Sequence, residues 1–212
     1  GAGWGLTETG GTGAAFTGSL MSQFPGTSGF LSPIIESSFR DEEGQQVNAG
    51  EPGEIWIKSP TCIQSYFCGD DSQDDFAEGW FKTGDVGYLN DEGILVICDR
   101  VKDMIIRGGE NIYPAEIENC LLSLDGCQEA AVFGIPNDRL GEEVAATVVC
   151  SAEVPLTVAE IQAYCSKHLA AFKVPQHIHI SAQTLPRNAT KKPLKRQIKQ
   201  QFMDHQAANA DC

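Results

Sequence analysis

The sequence predicts two parts of different class, a β-rich first half and an α+β second half, and three features point there. Residues 28–98 carry short runs of apolar or alternating residues, separated by Gly, Asp and Asn. From about residue 100 the spacing changes, and helical periods interleave with short strands. The charge changes at the same place. Residues 1–98 hold three Lys and Arg against fifteen Asp and Glu, whereas residues 99–212 hold twelve against fourteen. This shift near Asp99 marks an expected domain boundary.

In the first half, "GEIWIKSP" alternates about Ile55 and Ile57, and "GILVICD" is a short apolar strand bounded by turn residues. The links "DEEGQQ", "NAGEPGE", "CGDDSQDD" and "LNDEG" are built from turn formers. Strands at this spacing suggest a small barrel or a sheet layer and not a parallel βαβ array. In the second half, "PAEIENCLLSL" opens on Pro114, suited to a first helical position, and places Ile117, Leu121 and Leu124 on one face. "QEAAVFGI" and "EEVAATVVC" read as strands. "TVAEIQAYCSKHL" begins with Thr157 and Glu160 in capping-box spacing and continues as an amphipathic helix. "HIHISA" is a third strand, and the alternation makes a compact α+β domain.

Composition excludes several classes. With 212 residues, 42% hydrophobic, 22 Gly and 10 Pro, the chain is turn-rich and globular, with enough length for a core. No apolar run is long enough to cross a bilayer. No charged-then-apolar leader opens the chain, so secretion is not expected, and "GAGWGLTETGG" reads like the middle of a longer protein. The eight cysteines (Cys62, Cys68, Cys98, Cys120, Cys127, Cys150, Cys165, Cys212) form no C-x-x-C pair, which argues against a zinc site or redox dithiol. Several sit in apolar patterns, so reduced thiols in an intracellular, cytoplasmic setting are expected. The closing "NADC" shows no peroxisomal address. "PRNATKKPLKRQIK" holds six Lys and Arg, but it lacks interleaved aromatics and the net charge of −14 opposes any polyanion, so nucleic acid is not expected as a partner.

Four stretches could carry chemistry. In "GWFKTGDVGY", Gly79 and Gly84 permit tight turns and Asp85 follows; a carboxylate there could accept bonds from two adjacent hydroxyls, such as a ribose diol. The plainer alternative is a hairpin turn with a solvated Asp. In "DRVKDMIIRGGENIYPAEIE", Asp99, Arg100, Lys102, Asp103 and Arg107 crowd before Gly108–Gly109, where backbone could approach a ligand and Arg100 could fork onto a ribose or phosphate oxygen. The alternative there is an interdomain linker with wet charges. "GWGLTETGG" offers Trp4 to stack on a base, Thr7 for a phosphate oxygen and Glu8 for Mg²⁺, or is simply a loop. His177 and His179 share one face of a strand, and packing is the favoured reading over metal ligation. No G-x-x-x-x-G-K-[ST] loop, G-x-G-x-x-G turn or G-x-S-x-G elbow is present.

Taken together and in order, "GWGLTET", "GEIWIKSP", "GWFKTGDVGYLNDEG", "DRVKDMIIRGGENIYPAEIE", "VFGIPNDRLGEEVAA", "FKVPQHIHI" and "LPRNATKKPLKR" resemble the adenylate-forming enzymes, which include acyl-CoA synthetases and 4-coumarate–CoA ligases. The resemblance covers essentially the whole chain. It implies an α/β and β architecture in which residues 1–101 form the β-rich subdomain that closes a large AMP-binding domain. Residues 102–212 would form a small mobile α+β domain pivoting at Lys102. It also implies that ATP and a carboxylic acid form an acyl-adenylate and pyrophosphate, and that CoA then displaces AMP. By resemblance Trp4 stacks on adenine, Gly5 beside it is a further cofactor-binding residue, Thr7 meets the α-phosphate and Glu8 the Mg²⁺. Asp85 and Arg100 hold the ribose, Gly108 and Gly109 line the thiol tunnel, and Lys192 is the catalytic lysine of a P-R-x-x-T-G-K motif. Lys191 stands where that motif has Gly, which leaves two adjacent lysines as candidates. The family's phosphate loop and most of its acyl pocket are absent, so this chain alone is expected to be inactive. A carrier-loading adenylation domain, a luciferase-like oxygenase and a non-catalytic truncated remnant are the alternatives.

Overall fold

The computed structural model describes residues 2–66, 75–189 and 191–210. Cys68, Cys212 and most of the "CGDDSQDD" link lie outside the described residues. The chain divides into two compact units, Gly1–Lys102 and Asp103–Cys212.

The first unit is one antiparallel sheet. Its strands are β1 (Ala2–Gly5), β2 (Gly13–Phe16), β3 (Gly29–Leu31), β4 (Glu36–Arg40), β5 (Gly53–Lys58), β6 (Phe76–Ala77), β7 (Trp80–Leu89) and β8 (Ile94–Arg100). They are ordered β1-β2-β3-β8-β7-β5-β4, with β6 on β7, and a short helix α1 (Ser19–Gln23) lies between β2 and β3. Of the two architectures open from sequence, the sheet layer is the one formed, with β1 and β4 at its ends. Ile55 and Ile57 point inward with Ala14, Phe81 and Leu95, as the alternation of "GEIWIK" requires. Trp56 and Lys58 take the opposite face. There Arg40, Lys58 and Lys82, the three cations of residues 1–98, all lie over the Trp56 or Trp80 rings at 4.2–5.5 Å.

The second unit has β9 (Ile105–Arg107), β10 (Glu110–Ile112), α2 (Pro114–Leu122), β11 (Cys127–Asn137), β12 (Gly141–Cys150), α3 (Val158–His168), β13 (His177–Ser181) and α4 (Lys195–Ala210). The sheet runs β10-β9-β12-β11, with β13 added parallel to β12. Both faces of β11 and β12 are covered, which is why "EEVAATVVC" reads as a continuous apolar run and not an alternating one. On one face Val132, Val144, Ala146 and Val148 meet Ile117 and Leu121 of α2 and Ile161 and Cys165 of α3. On the other, Ala131, Phe133, Ile135, Ala145 and Val149 meet Ile198 and Phe202 of α4.

The helices begin where their sequences say. Pro114 occupies the first turn of α2, and Thr157 caps α3 in a reciprocal box with Glu160. Helix α4 was not foreseen. Its buried apolar contacts come from Ile198 and Phe202, one turn apart, inside a sequence dominated by Lys, Arg and Gln. None of the six described cysteines is in a disulfide, and no described helix is long and apolar enough to cross a membrane.

Phe202 packs edge-on against Phe133 with ring centroids 5.4 Å apart. Phe202→Ala is therefore expected to cost about 3–5 kcal/mol, measured by urea unfolding. A loss under about 1 kcal/mol would show that α4 does not complete the core.

Candidate functional site

Asp85 is the centre of the first unit's polar chemistry. In the pairing of β5 with β7, Glu54 faces Val86 and Trp56 faces Lys82, so Thr83, Gly84 and Asp85 all oppose Ile55. This is a bulge, and Gly84 supplies the left-handed φ of 68° that it needs. Thr83 replaces the lost ladder bonds: its hydroxyl donates to the Ile55 carbonyl at 2.8 Å and accepts from the Asp85 amide at 3.1 Å. Asp85 is thus neither in a hairpin turn nor solvated, as the plainer reading had it. It is 5% exposed. Its two carboxylate oxygens are taken by the Trp4 indole N–H at 2.7 Å and Arg100 Nε at 3.1 Å. Arg100 lies directly across the β7–β8 ladder from Asp85, so pairing register creates the ion pair. Arg100 is therefore partnered, although its side chain remains about half exposed.

Residues of "GWGLTETGG" also fold tightly instead of forming a loose loop. Trp4 is in β1, and Thr7–Thr9 form one 3₁₀ turn. The buried Thr9 hydroxyl, with its single hydrogen, lies between the carbonyls of Leu6 and Thr12 and can donate to either, stitching the turn closed and leaving Thr7 exposed and Glu8 half-buried. The Glu8 carbonyl accepts from the Ile63 amide at 2.8 Å. A cleft of about 400 Å³ runs along this turn, lined among others by Gly5, Thr7, Glu8, Tyr66, Gly84 and Arg100. Asp85 and Trp4 do not line it: Arg100 joins Asp85 to the lining, and Trp4 bonds to Asp85. Tyr66 was not singled out from sequence. Its hydroxyl donates to Glu8 Oε1 at 3.2 Å, and burial together with the Glu8 charge raises its pKa, which keeps the donor protonated.

Lys102 is exposed in the 3₁₀ turn Val101–Asp103 and is the last residue of the first unit.

In the second unit, Gly108 and Gly109 form the two-residue turn of the β9–β10 hairpin, with φ of 61° and 89°. The hairpin is tied to the β11–β12 turn. Gly108 N–H donates to the Leu140 carbonyl at 2.8 Å, and the Ile106 amide donates to Glu142 Oε2 at 3.0 Å. Arg107 makes a two-pronged bond to Glu143, at 2.5 and 3.2 Å. Burial alone would raise the pKa of Glu143, but the Arg107 bond and the Val144 amide outweigh it and hold the carboxyl below its usual value. Lys191 and Lys192 are exposed near the start of α4, and Lys191 adopts a left-handed φ of 65°. That conformation explains physically why a Gly would suit the position. His179 stacks on His205 of α4 at 4.4 Å, in keeping with a packing role. Among the described residues no set of three His, Cys, Asp or Glu side chains is arranged to hold a metal ion.

Residues 1–67 match the AMP-binding enzyme family, and residues 116–192 match the AMP-binding enzyme C-terminal domain. The chain belongs to this family. It is 38% identical over 201 residues to a long-chain-fatty-acid–CoA ligase of Mycobacterium tuberculosis, covering 94% of this chain and 39% of that one. The o-succinylbenzoate CoA synthetase of Bacillus subtilis, solved with its acyl-adenylate intermediate, superposes with a TM-score of 0.82 at 37% identity, over 93% of this chain and 40% of that chain. The same enzyme solved with ATP and magnesium ion gives a TM-score of 0.81 at 37% identity, over 93% and 41%. The chain thus spans about 40% of the length of these relatives.

Two outcomes are expected. Lys191→Gly removes a left-handed side chain and should stabilise the protein by about 0.5–1 kcal/mol in thermal unfolding; a lower melting temperature would mean that the Lys191 side chain earns its place through contacts. Because the folded pKa of Glu143 is depressed, its pairing stabilises above the ordinary carboxyl value and is lost as pH falls through the folded value. Glu143→Gln should therefore flatten the acid limb of the stability curve, followed by circular dichroism between about pH 5 and 2.

Proposed function

We propose that this chain is the distal part of an ATP-dependent carboxylic acid–CoA ligase. Residues 1–101 close its large AMP-binding domain, and residues 102–212 are the small domain that pivots at Lys102. In the first half-reaction the acid's carboxylate oxygen attacks the α-phosphorus of ATP, the bond to pyrophosphate breaks, and an acyl-adenylate forms. In the second, the thiol of CoA attacks the acyl carbonyl and AMP leaves.

The observation that carries this reading is the convergence of Thr7, Glu8 and Arg100 on one cleft, with Asp85 bonded to Arg100 and Trp4 to Asp85. Trp4 and Gly5 meet the adenine end of the nucleotide. Asp85 retains lone pairs beyond those used by Trp4 and Arg100, so it can still accept from ribose hydroxyls. Thr7 offers an exposed hydroxyl to the α-phosphate. Mg²⁺ fits the donor set, since this ion takes one or two carboxylates and fills its remaining positions with substrate phosphates and water; Glu8 would hold it, and it would neutralise phosphate charge. Lys192 supplies an ammonium that offsets the negative charge of the carboxylate and α-phosphate as they approach. Gly108 and Gly109 present bare backbone beside the thiol's path in the second half-reaction. The partners are the acid, ATP and CoA, and the described cysteines, none of them in a disulfide, favour a cytoplasmic setting.

The activity needs the rest of the relatives' length, so the 212-residue chain by itself should give no ATP–pyrophosphate exchange. Grafted in place of the matching part of the Bacillus subtilis synthetase, it should support acid-dependent exchange. In that chimera Lys192→Ala should lower exchange by at least about 100-fold, whereas Lys191→Ala should change it by less than about tenfold. The reverse order would assign the chemistry to Lys191. Exchange unaffected by both substitutions would reject the lysine's role.

A further inference from the structure

Exposed lysines on a surface turn sample many directions, and a catalytic ammonium has to be presented in one of them. Resting on the reading of Lys192 as the adenylation lysine, we infer that Glu129 and Arg187 are positioning residues that fix the backbone from which Lys192 projects.

The turn is a small closed hairpin. Arg187 and Pro193 form an antiparallel bridge, and the Leu194 amide donates to the Pro186 carbonyl at 2.8 Å. Within it the peptide group joining Lys191 to Lys192 is held at both ends. Its carbonyl, on Lys191, accepts from Arg187 Nη1 at 2.7 Å. Its N–H, on Lys192, donates to Asn188 Oδ1 at 2.9 Å. The Lys192 carbonyl in turn accepts from the Asn188 amide at 3.0 Å, so the peptide planes on both sides of the Lys192 Cα are held, and with them the direction of its Cα–Cβ bond, the root of the side chain.

Arg187 can do this because it is itself held. Its other nitrogen, Nη2, pairs with Glu129 Oε2 at 3.3 Å. The same Glu129 oxygen accepts the Leu185 amide at 3.0 Å. Glu129 belongs to β11, between two covered sheet faces, and Leu185 is buried against α4. A path of directed bonds therefore runs from the sheet through Glu129 and Arg187 to the Lys191 carbonyl. The planar guanidinium serves both contacts at once, which a lysine ammonium at position 187 could not match in geometry.

The clamp also predicts which half-reaction suffers. Glu129 lies near the start of β11, whereas the Gly108–Gly109 hairpin is tied to residues 140–143 beyond the other end of that strand. The strand between them spans roughly 25 Å, so loosening one tie leaves the other in place.

The test uses the chimera described above with Arg187→Gln, Arg187→Lys and Glu129→Gln, beside Lys192→Ala. Acid-dependent ATP–pyrophosphate exchange should fall at least about tenfold in kcat for all three clamp variants, with the KM for ATP changed less than about threefold. Thioester formation from supplied acyl-adenylate and CoA should stay within about twofold of the parent. In the 212-residue chain, hydrogen exchange at the Lys192 amide should speed up at least about tenfold in Arg187→Gln while the melting temperature holds. Unchanged exchange kinetics in the clamp variants, with Lys192→Ala inactive, would overturn the positioning role. Equal loss in both half-reactions would overturn it too, by showing a general structural defect. A fully active Lys192→Ala would instead reject the catalytic reading beneath it. Should the chimera be inactive throughout, unaltered amide exchange in Arg187→Gln overturns the clamp.

Discussion

A carboxylate buried in a sheet has to be paired and hydrogen-bonded, and much of the first unit follows from how Asp85 meets that demand. An ionised group at 5% exposure is costly unless each oxygen finds a donor. One donor comes from across the β7–β8 ladder, so those strands must run in the register that sets Arg100 opposite Asp85. The other comes from Trp4, eighty-one residues away in the chain, so β1 must fold back to the same place. The bulge at Thr83–Asp85 turns the carboxylate toward both, and Thr83 repairs the backbone bonds that the bulge costs. The groups beside the cleft are thereby tied to three strands of the sheet by bonds within the unit.

The second unit solves a different problem with the same economy. Its β11–β12 ribbon is covered on both faces, so it is a stiff bar, and each of its ends holds one exposed turn. At one end Glu142, Glu143 and Leu140 grip the Gly-Gly hairpin. At the other Glu129 grips the arginine behind the lysine pair. A bar with two separately fixed ends can present either turn without deforming the other.

Charge is organised as locally as backbone. The three cations of residues 1–98 are gathered over the faces of two tryptophans, and Glu54 accepts the Trp56 indole N–H. In the second unit the basic run is divided among separate tasks. Arg187 and Lys195 pair with Glu129 and Glu118, while Lys192 is exposed. Glu118 also accepts the Val132 amide, so Lys195 pins the start of α4 to α2 and the sheet through a single carboxylate.

Local patterns were enough for much of this. Alternation in "GEIWIK", Pro114 at a helix start, the Thr157–Glu160 box and the continuous apolar run of β12 each rest on neighbours within a few residues, and each gave its element. The motifs named the family, the two-part organisation and the residues worth examining. Other features have no local signal. Helix α4 buries Ile198 and Phe202, with Met203 packed beside them, in a largely polar sequence, and only a sheet face waiting to be covered makes these sufficient. Asp85 looked like a turn residue because Gly84 precedes it, but bulge and turn differ only in what the facing strand does. Tyr66 on Glu8, Glu143 on Arg107 and Glu129 on Arg187 join residues 36 to 58 positions apart. Sequence by itself determined which elements form and which chemical groups are present, because propensity and periodicity act over one or two turns of chain. Tertiary structure alone decided which carboxylate meets which cation and which lysine is held, because that depends on strand register and sheet order, where distant segments are brought within reach of a hydrogen bond.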